Sequence, residues 1–131
     1  MIPALIGGAC GVAIVAAFYR NGLLRERGGL TVLVCAIAAF YPVFAVQSGA
    51  SVTTLVLHSA AFLAICALAA YGHRQGTRLL AFLLIGHGVF DAALAATAPL
   101  GPPWWPAFCG VLDVTAGALI LLLLSQKRVP A

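Results

Sequence analysis

The chain has 131 residues, 63% of them hydrophobic and 8% charged, with a net charge of +4 and a mean hydropathy of +1.11. A soluble domain carries about 25% charged residues, so a water-soluble fold is excluded, and the length admits five membrane crossings of about 20 residues each with no soluble domain beside them. The positive balance does not imply nucleic acid, because the seven Lys and Arg residues sit at the ends of apolar stretches rather than along one face with interleaved aromatics.

The expected fold is all-α, a polytopic transmembrane bundle of five spans in a single domain over residues 1–131. Segment one runs from about Pro3 to Tyr19 and ends at Arg20. Its start lacks the basic stretch of a signal peptide, so the segment is expected to be retained, and Gly7 and Gly11 form a GxxxG pair suited to close helix contact. Segment two covers Gly29 to Gln47, with Pro42 expected to kink it near its far end. Tyr41 is read first as part of that kink.

Segment three runs from Val52 to Tyr71 and carries His58. His73, beside Arg74, is expected in the following loop. Segment four, Leu79 to Thr97, carries His87 and Asp91. The uncharged linker from Ala98 to Pro106 is rich in Pro and Gly, which stop a helix, and its Trp104 and Trp105 suit an interfacial belt. Segment five, Trp105 to Ser125, carries Cys109 and Asp113. A four-span version with segment one peripheral is the alternative topology.

Every basic residue lies in the Arg20–Arg27 loop, the Arg74–Arg78 loop or the Lys127/Arg128 tail. Short basic loops stay in the cytoplasm, so the N-terminus is expected outside the cell membrane and the C-terminus inside. The cysteines Cys10, Cys35, Cys66 and Cys109 fall in four separate segments without CxxC spacing, which points to packing rather than a disulfide or zinc-ribbon framework.

Counting from the outer helix ends at 1.5 Å per residue places His58 and Asp91 roughly 9 Å deep, Asp113 roughly 12 Å and His87 roughly 15 Å. Tyr41 and Cys109 fall in the same outer half. His87 and Asp91 are spaced i,i+4, as are Cys109 and Asp113, so each pair shares a helix face. Gly110 and Gly117 let a neighbouring helix approach Asp113. Two carboxylates in a low-dielectric layer cannot both stay charged without a partner, and a histidine between them can share a proton. Polar groups also serve as interhelical glue. That is the better reading of His58 alone, but a carboxylate costs about 2.5–3.5 kcal/mol at mid-bilayer where Asn or Ser would serve as glue. His87, Asp91 and Asp113 are therefore the candidate functional set.

The run Gly86-His87-Gly88-Val89-Phe90-Asp91 and, after a Pro-rich turn, Trp105-Pro106-Ala107-Phe108-Cys109-Gly110-Val111-Leu112-Asp113 resembles the HxxxD and PxxCxxxD signature of a small uncharacterised membrane-protein family of bacteria and fungi. The resemblance covers the last two-thirds of the chain and implies importance for His87, Asp91, Cys109 and Asp113 without implying a reaction. The chain departs from it in two places. Ala92-Ala93-Leu94-Ala95 stands where the family often has a further His, and His58 stands where the preceding helix often has a glutamate; if the family site binds metal, both changes count against metal binding here. A looser chemical similarity, by analogy only, is to the sterol-isomerase and sigma-2-receptor group, which also sets a His and a carboxylate four residues apart facing a second carboxylate.

The leading expectation is a membrane-embedded acid/base enzyme, an isomerase or cyclase acting on a lipophilic substrate that enters from the lipid. Asp91 or Asp113 would be the general acid, and the other carboxylate or His87 the base. His58, Tyr41, Cys109 and Trp105 would line the pocket, with no cofactor. Proton or cation transport through the same carboxylates is the alternative, weakened because the inner half offers only Thr31, Thr77 and Ser125. The remaining alternatives are a transition metal held by His58, His87, Asp91, Asp113 and Cys109 or a haem ligated by the two histidines, and an accessory subunit or homo-oligomer joined through the Gly7/Gly11 face.

Overall fold

The computed structural model describes residues 1–97 and 100–130; Ala98 and Pro99 of the expected linker lie outside the described residues. The described residues are all-α. In chain order the helices are α1 Ile2–Arg20, α2 Leu23–Glu26, α3 Gly28–Ala38, α4 Phe40–Gln47, α5 Val52–Gln75, α6 Thr77–Thr97 and α7 Trp105–Ser125. Five stretches are long and apolar enough to cross a membrane, with α3 and α4 together forming the second. Large apolar side chains such as Leu5, Val32, Val56, Leu63, Phe82 and Leu122 point outward all around the bundle. A protein in water avoids so much contiguous apolar surface. The chain is a membrane protein.

The most intimate packing is of α7 against α6 on one side and α1 on the other, while α5 packs on α3, α4 and α6. Small residues set the α6–α7 distance. A Cβ on Gly88 would lie 2.6 Å from the Gly110 carbonyl oxygen, and one on Gly117 would lie 2.6 Å from the Ala81 carbonyl oxygen. With no side chain in the way, the two backbones touch and the polar residues beside these glycines are forced together.

The four-span alternative and two expectations need correction. Segment one is no peripheral element: Gly7 and Gly11 are buried against the backbone of α7 at Phe108 and Leu112. The GxxxG pair thus makes the predicted close contact inside the chain, and that face is not free for a second copy. The third span runs past Tyr71 to Gln75, so His73 stands in the last helical turn, where its Nδ1 lies 3.3 Å from Thr31 Oγ1. The kink in the second span is centred on Ala39, one turn before the position of Pro42. Proline has no N–H to give and its ring crowds the carbonyl four residues back, so the defect appears at Ala38 and Ala39 rather than at Pro42 itself.

Candidate functional site

His87, Asp91, Cys109 and Asp113 meet between α6 and α7, and Tyr41 joins them from α4. The carboxylates are 0% and the imidazole 5% exposed. Helical spacing explains the arrangement. Positions 87 and 91 project from one face of α6, positions 109 and 113 from one face of α7, and the Gly88–Gly110 contact presses the two faces together.

His87 Nδ1 lies 2.8 Å from Asp113 Oδ2 and 3.7 Å from Asp91 Oδ2. The Cys109 thiol points at Asp113 Oδ2 over 3.8 Å. The Tyr41 hydroxyl donates to Asp91 Oδ1 at 2.5 Å. One nitrogen, one sulfur and one oxygen from each carboxylate thus lie within 4.8 Å of one another, all buried. Among the described residues Asp91 Oδ2, Asp113 Oδ1 and His87 Nε2 have no hydrogen-bond partner. A buried polar atom left without a partner costs about 1–3 kcal/mol, so three in one cluster is a standing invitation to something that would engage them.

His58 is brought to the cluster's edge by ring stacking on Tyr41, with centroids 5.7 Å apart and planes 21° apart. It enters none of the polar contacts among the described residues. Trp105 is not the interfacial anchor expected: it is 8% exposed and packs on Phe40 at 4.4 Å and Phe44 at 5.2 Å, whereas Trp104 is half-exposed. The indole nitrogen of Trp105 is buried without a partner among the described residues.

Sequence reasoning underrated Tyr41 and overlooked Phe90. The Phe90 ring stands edge-on to Tyr41 at 5.5 Å and tilted on His87 at 6.1 Å, closing the cluster from its own helix. Phe90 lies one residue before Asp91, and nothing in an apolar run marks one Phe as facing inward. An apolar groove of about 470 Å³ runs along the α6–α7 seam, lined by small residues such as Gly88, Ala92, Ala107 and Gly110. None of the five cluster side chains is in its lining.

Comparison with known protein families, curated proteins and solved structures finds no match to this chain. The reading of the site therefore rests on its own geometry.

Proposed function

We propose that this is an integral protein of the cell membrane, with its N-terminus outside and its C-terminus cytoplasmic, built around a transition-metal centre held by His87, Asp91, Cys109 and Asp113. The observation that carries this reading is the convergence of four buried donor atoms of three chemical kinds within 4.8 Å of one another. Zinc bonds of about 2.0–2.3 Å in a tetrahedron place neighbouring donors about 3.3–3.8 Å apart. The His87–Asp91 and Cys109–Asp113 separations of 3.7 and 3.8 Å match that spacing. The His87–Asp113 pair, at 2.8 Å, is hydrogen-bonded and would open slightly around an ion.

Tyr41 adds the outer support that such sites need. By occupying Asp91 Oδ1 it leaves Oδ2 facing His87, the role usually played by groups that orient a metal ligand from outside. The donor set mixes imidazole, carboxylate and thiolate, which suits zinc. It is complete without the further His and Glu of the resembling family. Four donors of this kind would hold a zinc ion as structural sites do, and three would leave it able to supply an activated water. Haem has less behind it, because both histidines pack on the Tyr41 ring.

Elemental analysis of the purified protein tests this. The expected result is a stoichiometric metal ion, and after cobalt substitution a thiolate-to-metal absorption band that Cys109→Ser abolishes. Wild-type protein that neither carries nor binds zinc or cobalt would overturn it.

A second reading is the acid/base isomerase or cyclase. It is favoured by His87 Nε2 and Asp113 Oδ1, which, like Asp91 Oδ2, have no hydrogen-bond partner among the described residues although Tyr41 and the His87–Asp113 pair bond the other side of the cluster. Asp91, Asp113 and His87 would then move protons on a lipophilic substrate, with Tyr41 and His58 shaping its place. Conversion of a lipid extract by metal-free protein, lost in Asp113→Asn, would favour this reading over the metal centre. Transport has less support, since Thr31 and Ser125 in the other half are engaged locally, with the Arg27 and Leu122 carbonyls respectively.

A further inference from the structure

At the end of the bundle opposite the cluster, four cations surround two adjoining cavities. The first, of about 350 Å³, is lined by Arg20 and Arg25 with Tyr19 beside them. The second, of about 520 Å³, is lined by Arg25, Lys127 and Arg128. Arg25 and Val129 line both.

The chain bends sharply on each side to make this arrangement. After α7, Lys127 takes a left-handed conformation at φ 57°, and the N–H groups of Lys127 and Arg128 return to the carbonyls of Leu124 and Leu123 at 3.0 and 2.9 Å. Val129 is then tucked into the core at 5% exposure. On the facing side, α2 is a single turn between two left-handed residues, Gly22 at φ 74° and Arg27 at φ 58°, and is pinned by buried Leu24. Non-glycine residues at positive φ carry a conformational cost. A topology signal needs only basic residues in a short loop, in any conformation. Here two apolar pins and two left-handed turns hold the cations around a shared space.

Charge is also unbalanced there. Among the described residues no carboxylate forms an ion pair with Arg20, Arg25, Lys127 or Arg128, and Glu26, though adjacent in sequence to Arg25, lines neither cavity.

We propose that Arg20, Arg25, Lys127 and Arg128 form a binding site for a phosphate-bearing anion at the membrane surface. Guanidinium forks match phosphate oxygens in pairs, and an ammonium adds a mobile point charge. Clusters of basic residues at the end of a membrane helix are the usual means of holding an anionic lipid headgroup. The cavities are well above the volume of a phosphate alone, leaving space for the group that carries it.

The test uses the full chain in uncharged detergent, titrated separately with short-chain phosphatidylglycerol, short-chain phosphatidylcholine and inorganic phosphate. Phosphatidylglycerol should bind saturably and phosphatidylcholine should not. Arg25→Gln and the Lys127→Gln/Arg128→Gln pair should each weaken binding by on the order of tenfold. Arg74→Gln/Arg78→Gln, which removes cations outside both cavities, should leave it unchanged. Arg25 is exposed, so its variant should melt as wild type does. Binding of phosphatidylglycerol alone identifies a lipid as the source, and competition by inorganic phosphate identifies a soluble anion; both uphold the site. No saturable binding, equal binding of the two lipids, or an equal loss in the Arg74/Arg78 variant would overturn it.

Discussion

The Tyr41 hydroxyl donates to Asp91 Oδ1 across fifty residues of sequence, joining the kinked second span to the fourth. That bond leaves Asp91 with one satisfied oxygen and one bare oxygen facing His87. Tyr41→Phe keeps the ring against His58 and Phe90 but strips the partner from Oδ1. Leaving a buried acceptor unpaired costs about 1–3 kcal/mol, so the variant should unfold earlier in detergent with its helical circular dichroism intact. Metal affinity should fall by roughly 10–100-fold, the usual effect of losing a group that orients a ligand. Thermal unfolding and a zinc-chelator competition measure the two effects separately.

Asp91→Asn separates architecture from chemistry. Tyr41 can still donate to the amide oxygen, so the fold and its melting temperature should stay close to wild type. The other side-chain atom becomes an NH2 group, which cannot ligate, and metal retention should drop by at least about tenfold given what loss of even a supporting group costs. Unchanged metal content by elemental analysis would remove Asp91 from the donor set.

The α6–α7 seam should distinguish between glycines that sequence alone treats alike. A Cβ on Gly88 meets the Gly110 carbonyl oxygen at 2.6 Å and Val114 at 2.8 Å, whereas a Cβ on Gly86 meets nothing within 4 Å. Gly88→Ala should therefore cost about 1–3 kcal/mol through overpacking and loosen the cluster with it. Gly86→Ala should be neutral or stabilising by up to about 1 kcal/mol, from helix propensity. Denaturation in mixed micelles compares them directly.

Gly7→Val drives a branched side chain into the Phe108 backbone and should detach α1 from α7. The expected signature is faster proteolysis between α1 and α3 with no change in the detergent-corrected mass. A shift in mass without loss of protease resistance would instead mark that face as an interface between copies.

Much of this molecule was legible in the residue order. Alternating apolar stretches and basic ends located all five spans, and the i,i+4 pairs His87/Asp91 and Cys109/Asp113 already placed each pair on one helical face. Their meeting followed from a short linker between two helices with glycines beside the acids. The single-turn α2 and the return of Val129 to the core were not legible, because left-handed turns at Arg27 and Lys127 have no marker in residue type. The hydropathy pattern ends the third span at Tyr71, yet the helix continues to Gln75 and carries His73 to Thr31. Tyr41 is masked by its neighbour: Pro42 marks the segment as a bend, and residue type does not show which way the hydroxyl points. Trp105 misled because aromatics at a helix start mark the lipid–water boundary on average, while here Phe40 and Phe44 cover it.

The pairing of α1 with α7 sets an order for assembly. Chains fold as they are made, N-terminal parts first, so α1 enters the lipid long before the helix that will cover Gly7 and Gly11. During that interval its glycine face is open to lipid, and any insertase or chaperone that shields it must be displaced by α7. Asp113 rides in on that same helix, reaching a membrane where Tyr41, His87 and Asp91 already wait. Arrival of the final acid and burial of the first helix are thus one event, and a nascent chain halted before α7 would hold a half-built polar site with an unguarded seam.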